Sequence, residues 1–477
     1  MIRNRTRLQL PLGRKSATSP GCVTHCWGVG RRYTQLPNQA GWGRSCLTVQ
    51  LIAHQTWNHQ TSLNTLQADT ACPPGKRSAI PRRSSSLRPS YSPLLTDLRL
   101  EPPPAMPPWS NFQFWSPPED PERPVLPYVS ALTVTITEHV PPEPFGLPSV
   151  YPRIEPPYNI SDEHLKTLTQ TRLIVTCPPI ETNRNTGSAI TKTPPANAIL
   201  EIEKPIAVED GRGPKLVVCT ITPQDRHSKP FQAVAKIFDP LYYSFKNENA
   251  PHRPVATTVK ADSDYSIEAA AYAHLQKTGE TGAFAPEYYG SWTFTLPIRH
   301  RGVQYERQVR LVLVEYIDGV CMRDLCYQES PPLGFTEEHR LDVLANILDG
   351  AARMDHSGIN QRDLMPRNII LKLKPEVGGP PEEGRPRFVQ RAVLIDYNIS
   401  VVYHLSPEEW KCNKTTNLPV NPMELFWNIS LDDFNHWVPK SWQCNERAQQ
   451  QWLMGRFGGA NAFSYAPLSR ELKLDDP

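Results

Sequence analysis

The sequence of 477 residues predicts an α+β domain, with a strand-rich first half and a mainly helical second half, behind a long disordered N-terminal region. Two features of the composition predict the disorder. No Asp or Glu precedes Asp69 while Arg and Lys recur, and 17 of the 51 prolines fall within residues 101–160. Proline lacks a backbone N–H and restricts φ, so such clusters oppose helices and interior strands. We therefore expect a disordered basic tail at 1–100, a proline-rich linker at 101–160 and one folded domain at 161–470.

Short apolar segments separated by turn residues predict the strands of the first half. Apolar and β-branched residues dominate them, which suits a half-buried or buried strand. The segments are ALTVTIT (131–137), AILEIEKPIAV (198–208), KLVVCTI (215–221), AVAKIF (233–238), YYGSWTFTL (288–296) and VRLVLVEYI (309–317). The first of them falls inside the expected linker.

Two segments predict helices from their end residues and apolar spacing. SDYSIEAAAYAHLQ (263–276) opens with Ser-Asp, either of which can cap a helix. In TEEHRLDVLANILDGAARMDHSG (336–358), Thr336 can cap the start, two glutamates suit the positive end of the helix dipole, and Gly358 can end it. Two short strands are predicted after this helix, NIILKL (368–373) and AVLI (392–395).

The composition also argues against two classes of partner. The net charge is only +3, so the whole chain is not an evident nucleic-acid binder. No run approaches the ~18 apolar residues that span a bilayer, so no membrane partner is expected. The ten cysteines are scattered, and Cys219 lies in an apolar run, as is typical of reduced core residues. We expect a cytoplasmic protein, and the acid-poor, Arg-rich start leaves a nuclear or organellar location open.

Five short sequence features follow one another in a fixed order, each on a predicted element of the right type. They are VAK (234–236) on a strand, Glu268 on the next helix, VLVEYIDG (312–319) ending a strand, QRDLMPRN (361–368) before a strand, and LIDYNIS (394–400) after one. From about Ile206 to Ser400 this order resembles the protein kinase family. The resemblance implies a two-lobed kinase-like fold, with a β-rich first lobe and a mainly helical second lobe. Each feature alone is a weak signal, whereas the five together are specific.

The resemblance implies a role for each polar residue in phosphate transfer from ATP with Mg²⁺. Lys236 would hold the α- and β-phosphates, and Glu268 would hold the lysine in place. Asp363 would be the base that accepts the proton of the acceptor hydroxyl. Asn368 and Asp396 offer the oxygen ligands that Mg²⁺ prefers.

Further nucleotide contacts are expected from two loops. Glu315 and Ile317 lie in the segment that resembles the hinge between the lobes. Gly211 and Gly213 precede a strand, where the family has its glycine-rich phosphate loop, but the G-x-G-x-x-G pattern is incomplete. A plain hairpin turn is the competing interpretation of these two glycines.

Several positions depart from the family pattern. Gln361 stands in place of a histidine, Met365 in place of a lysine and Asn398 in place of a glycine. Asn398 is a mild departure, because Asn tolerates positive φ better than other non-glycine residues. Arg367 is the predicted substitute for the missing lysine beside the γ-phosphate.

Three functions stay open on the sequence. The first is an ATP- and magnesium-dependent phosphotransferase that resembles protein kinases, with a protein as substrate or partner. The second is a pseudokinase-type module that binds nucleotide or a partner without catalysis. The third is a small-molecule kinase, because only 81 residues follow Asp396 and the helices that bind peptide substrates are hard to find.

Overall fold

Six antiparallel strands close into a barrel in the first part of the structure. The strands are β1 (Thr133–Glu138), β2 (Asn197–Ala207), β3 (Lys215–Pro223), β4 (Phe231–Phe238), β5 (Tyr288–His300) and β6 (Val303–Glu315). Around the barrel they follow the order β1-β2-β3-β4-β6-β5, and β1 closes it by pairing with β5. The strands predicted from local pattern are therefore present.

The computed structural model describes part of the chain, all of it within the unit Ser92–Pro477. The described residues are 115–147, 149–153, 158, 160–181, 196–225, 228–247, 250–328, 334–374, 388–407, 417–443 and 445–474. The predicted basic tail at 1–100 lies outside them.

Side chains along β4 point alternately into the barrel and away from it. Ala233, Ala235 and Ile237 point into the barrel, where they join an apolar core with residues of the other strands. Val234 and Lys236 therefore point to the opposite face. That face packs against the second large apolar cluster of the protein, which includes Val234.

The segment expected to be a linker differs from the expectation, because part of it is packed into the barrel. Strand β1 pairs in register with β2, from Thr133 opposite Glu201 to Thr137 opposite Asn197. Tyr128 is fully buried, and its hydroxyl donates to Asp239 Oδ2 at 2.6 Å. Proline opposes regular structure but not an extended, packed chain, so proline content alone misplaced the start of the folded region.

Two short helices and one long one follow β1 in the sequence. They are α1 (Asp162–Leu165), α2 (Gln170–Thr176) and α3 (Thr257–Thr278). Helix α3 begins six residues before the predicted Ser263, so Ser263 and Asp264 lie inside it and are buried instead of capping it. Helix α3 is buried around most of its circumference, and its buried residues include polar as well as apolar ones.

The second half of the domain is mainly helical. Its helices are α4 (Met322–Gln328), α5 (Glu337–Ser357), α6 (Pro422–Phe426) and α7 (Glu446–Phe457). Helix α5 has the predicted ends: the Thr336 hydroxyl accepts the His339 N–H, and Gly358 has a φ of 106°. Because these capping signals are local, they could be found from the sequence.

Two small sheets join the helical half to the barrel. One has the order β10-β9-β7, with β7 (Val320–Cys321), β9 (Ile369–Leu373) and β10 (Val389–Leu394). The other pairs β8 (Ile359–Asn360) with β11 (Val401–Val402). The mixed α+β content is thus confirmed. In the described part of the chain, no helix is both long and apolar enough to cross a bilayer.

The buried carboxyl of Asp262 on α3 leads to a prediction about pH. Burial raises its pKa from 3.8 to about 7, against a hydrogen bond from the Ile180 N–H and the charge of Arg310, while Glu181 adds to the rise. The folded state therefore holds this proton more tightly than the unfolded state. The stability that results is fully present below about pH 4 and is lost as the pH rises through 7.

Asp262→Asn is expected to flatten this loss, because the amide stays neutral and can still accept the Ile180 N–H. The variant should therefore be more stable than the wild type above pH 7. Urea denaturation at several pH values between 4 and 8 measures the effect, with the exposed Asp318→Asn as the control. Parallel pH profiles for Asp262→Asn and the wild type would contradict the prediction.

Candidate functional site

Three charged side chains from separate elements meet beside the barrel. Lys236 comes from the outward face of β4, Glu268 from α3, and Asp396 from the turn after β10. The Lys236 ammonium forms an ion pair with the Glu268 carboxylate and lies 2.7 Å from Asp396 Oδ1. The side chains of Lys236 and Glu268 are 10% and 1% exposed, against 37% for Asp396. Asp396 is thus the member of the group that a ligand from solvent can reach.

The electrostatics of this group favour a charged lysine. Burial lowers the pKa of Lys236, but Asp396 and Glu268 more than reverse this, so the pKa lies above its ordinary range. Burial raises the pKa of Asp396, but the Lys236 ammonium outweighs it and the pKa lies below its usual value. Burial raises the pKa of Glu268 to about 7, and Asp396 adds to the rise while Lys236 opposes it. A carboxylate at Asp396 and an ammonium at Lys236 are the result at neutral pH.

A second group forms on the loop between β8 and β9. The Asp363 carboxylate accepts two hydrogen bonds from Arg367 Nη2, at 2.7 and 2.9 Å. Asn368 Nδ2 donates to Asp363 Oδ2 at 2.7 Å and to the Asp363 carbonyl at 3.0 Å. Because the amide nitrogen of Asn368 is committed to Asp363, its oxygen is the atom that could bind a cation. The five-residue spacing of Asp363 and Asn368 therefore puts both side chains together on one loop.

Gln361 joins the two groups. Its Nε2 donates to the carbonyls of Ile395 and Asp396, at 3.2 and 2.7 Å, while its Oε1 accepts the Asp363 N–H at 2.8 Å. The side chain is buried. An amide has a donor and an acceptor and no charge, so it can satisfy both segments at any pH. This residue links the loop of Asp363 to the turn of Asp396.

The backbone at both groups is in an unusual conformation. Arg362 and Asp396 have φ values of 69° and 65°, in the left-handed region that non-glycine residues rarely adopt. Such a conformation costs on the order of 1–3 kcal/mol and persists only where the surroundings fix it. The positive φ falls on Asp396, whereas Asn398, which stands where the family has a glycine, does not adopt it.

The loop that carries Gly211 and Gly213 is folded around a buried lysine. Lys215 Nζ donates to the carbonyls of Glu209, Arg212 and Gly213, each at 2.9 Å. The Gly211 N–H donates to the Tyr242 carbonyl at 3.2 Å. A phosphate loop offers its N–H groups to the ligand, whereas here one of them is engaged within the protein. The hairpin-turn interpretation of the glycines fits this geometry better than a phosphate site.

Residues of the predicted hinge lie at the end of β6 and in the stretch that leads to β7. The Glu315 carboxylate accepts two hydrogen bonds from Arg391 Nη1, at 2.7 and 2.9 Å, and its N–H donates to the Glu287 carbonyl. Ile317 is half-buried in the unpaired stretch after β6. The side chain of Glu315 is therefore committed to the protein, and backbone groups are what this segment could offer a nucleotide.

Sequence reasoning missed two residues that hold these loops. Arg391 is 76 positions from Glu315, so nothing local indicates that they pair. Lys215 directly follows Gly213-Pro214, and a lysine beside two glycines was the one signal available. Burial lowers the pKa of Lys215 to about 8, against the charges of Asp210, Asp239 and Glu209.

No group of three or more His, Cys, Asp or Glu side chains that could hold a metal is found among the described residues. Proteins usually bind magnesium through one or two carboxylates together with water and substrate phosphates. Asp396 and the oxygen of Asn368 are of this type. They are the residues here that fit such an ion.

Comparison with known proteins returns kinase domains as structural neighbours. The crystal structure of the BubR1 kinase domain aligns with 44% of this chain and 50% of its own length, with a TM-score of 0.27 and 13% identity. The kinase domain of PF14_0431 aligns over 43% and 51%, with a TM-score of 0.26 and 13% identity. The chain thus spans about half the length of the kinase domains it matches. No family model and no curated protein matches it.

Proposed function

We propose that this protein is an ATP- and magnesium-dependent phosphotransferase, with the barrel and the helical half as the two lobes of a kinase-like fold. One observation carries the proposal. A buried ammonium, Lys236, lies between the carboxylates of Glu268 and Asp396, and Gln361 connects this group to the loop of Asp363. Phosphoryl transfer depends mainly on positioning and on neutralising charge, and these side chains provide both.

The ammonium of Lys236 would bind oxygens of the α- and β-phosphates. Glu268 holds it in place, since both side chains are buried and paired. Asp396 and the amide oxygen of Asn368 would hold Mg²⁺. When bound, this ion neutralises phosphate charge that would otherwise repel the incoming oxygen.

Asp363 would accept the proton of the acceptor hydroxyl. The hydroxyl oxygen would at the same time attack the γ-phosphorus, and the bond from that phosphorus to ADP would break. The hydrogen bond from Asn368 Nδ2 and the pair with Arg367 orient the carboxylate. One guanidinium nitrogen of Arg367 makes both contacts, so Nη1 and Nε are the donors that a γ-phosphate could meet. Arg367 would in this way hold the base and neutralise the transferred group together.

One observation favours a second candidate, a module that binds nucleotide without transferring phosphate. The loop of Gly211 is fixed in its present position by Lys215 and by the ion pair between Arg123 and Asp210, with N–O distances of 2.8 and 2.5 Å. A loop in this position would not close over the γ-phosphate without breaking those contacts. Binding is common to both candidates, and transfer separates them.

Thermal unfolding with and without millimolar Mg-ATP tests the proposal. A ligand at 100 times its Kd adds about 2.7 kcal/mol to the free energy of unfolding, which a melting curve detects. Asp396→Ala is expected to remove the part of the shift that requires magnesium. Asp225→Ala changes an exposed aspartate in the turn after β3, outside the proposed site, and is the matched control. No shift in folded wild-type protein would refute the proposal, and a full magnesium-dependent shift in Asp396→Ala would reassign the metal ligand.

A further inference from the structure

A short stretch from the proline-rich segment lies between helix α3, which carries Glu268, and strand β11, which follows the turn of Asp396. We call residues 145–147 and 149–151 the strap. Val150 and Tyr151 are buried in one apolar cluster with Ile267 of α3 and Val401 of β11. Ile267 directly precedes Glu268, and Val401 follows Asp396 by five residues. The strap thus contacts both elements at once.

Hydrogen bonds fix the strap to each of these elements. On the α3 side, the Ser263 hydroxyl donates to the Phe145 carbonyl at 2.7 Å. On the β11 side, the Tyr151 hydroxyl accepts the Val402 N–H at 2.7 Å. Tyr151 is 3% exposed, and the two partners of this bond are 251 positions apart in the chain. Strand β11 also pairs with β8, which leads directly into the loop of Asp363.

The fit between the strap and α3 is close. Gly146 has a φ of 79°, and a Cβ added there would lie 2.7 Å from Ser263 Oγ. Pro142 and Pro144, just before the strap, are buried. Their restricted φ reduces the conformational entropy that ordering this segment costs. The prolines therefore favour a strap that is ordered on the domain surface.

We infer that Tyr151 is a positioning residue, which keeps Glu268 and Asp396 facing Lys236 by joining α3 to β11. The inference rests on the proposed function of those three residues. Lys236 belongs to the barrel strand β4, Glu268 to helix α3, and Asp396 to the turn between β10 and β11. A contact that spans α3 and β11 limits the relative movement of these elements in addition to the ion pairs with Lys236.

Tyr151→Phe removes the acceptor for the Val402 N–H and leaves the aromatic ring. Hydrogen–deuterium exchange of the full chain is the first measurement, followed on overlapping peptides that resolve Val402 from residues 396–400 and on peptides of α3 around Glu268. Loss of one hydrogen bond is expected to speed exchange about two- to tenfold in both regions. The matched control is Tyr158→Phe, because the Tyr158 hydroxyl bonds Thr258 at the start of α3 and its ring packs in a different apolar cluster from Val401 of β11.

The second measurement is the affinity for ATP with and without magnesium. Tyr151→Phe is expected to weaken the magnesium-dependent part about two- to tenfold, while Tyr158→Phe leaves it unchanged at a similar melting temperature. Gly146→Ala, which pushes the strap away from Ser263, should act in the same direction as Tyr151→Phe.

Two results would overturn the inference. One is faster exchange confined to the Val402 amide, with the regions around Asp396 and Glu268 unchanged. The other is an equal exchange response in Tyr151→Phe and Tyr158→Phe. If the wild type binds no Mg-ATP, the proposed function fails by itself, and the exchange data still decide whether the strap couples α3 to β11.

Discussion

Asp363→Asn is expected to lower phosphate transfer from ATP by about 10²–10⁴-fold, while the melting shift with Mg-ATP stays largely in place. The asparagine can keep a hydrogen bond with Asn368 but cannot accept the proton of the acceptor hydroxyl. Binding should persist, because Lys236, Glu268 and Asp396 lie outside the changed loop. Transfer from labelled ATP, to the protein itself and to panels of peptides and metabolites, measures the rate.

The panels also separate the proposed functions. Labelled peptides would indicate a protein substrate, and labelled metabolites a small-molecule kinase. Asp225→Asn, with the same chemical change at an exposed aspartate outside the proposed site, is the control and should transfer phosphate at the wild-type rate. If Asp363→Asn and the wild type give equal signals, the transfer is contamination and the nucleotide-binding module becomes the better account of the protein.

The parts of the fold that the sequence predicted well are those with local causes. Strands β2, β3 and β4 could be predicted because each is a short apolar segment bounded by turn residues. Helix α5 was found with both of its ends, because Thr336 and Gly358 are recognisable caps. Each of these signals spans only a few residues, so no knowledge of the tertiary structure was needed.

The errors arise where distant segments cover an element. Helix α3 buries Asp262, Ser263 and Asp264 against neighbours on several sides, so its polar residues hid the true start at Thr257. Strand β1 and the strap lie in a segment whose prolines predicted a linker. Composition indicates that such a chain avoids helix, but it does not indicate whether a folded surface is available to receive it.

The candidate site shows the same division. The order of the five sequence features was enough to predict that Lys236, Glu268 and Asp396 lie near one another, as the structure finds. The hydrogen bonds by which Gln361 links the two loops could not be predicted. In the sequence, a glutamine in place of the family's histidine indicates only that the histidine is missing. The closed loop around Lys215 was likewise hidden, since it depends on contacts with the turn after β4. The roles of these residues in binding and transfer stay predictions.

Arg307→Met is expected to lower the free energy of unfolding by about 3–5 kcal/mol, because it leaves the carboxylate of Asp239 buried without its cation. The side chains of Arg307 and Asp239 are 4% and 0% exposed, and their N–O distance is 2.9 Å. The Tyr128 hydroxyl also donates to this carboxylate, so the pair helps to hold the segment before β1 on the barrel. Chemical denaturation measures the loss. Arg299→Met, at an exposed position on the neighbouring strand, should change stability by no more than about 0.5 kcal/mol.

Asp239→Asn in the Arg307→Met background is expected to restore much of this stability, since the neutral amide can still accept the Tyr128 hydroxyl. A double variant no more stable than Arg307→Met would show that the loss comes from packing and not from the unpaired charge. Asp239 begins the turn whose Tyr242 carbonyl accepts both the Gly211 N–H and Lys215 Nζ. Loosening this turn should therefore also free the glycine loop. If the loop of Gly211 moves over the nucleotide once these contacts are lost, Arg307→Met will change the affinity for Mg-ATP. The affinity is measured at temperatures where the variant is still folded.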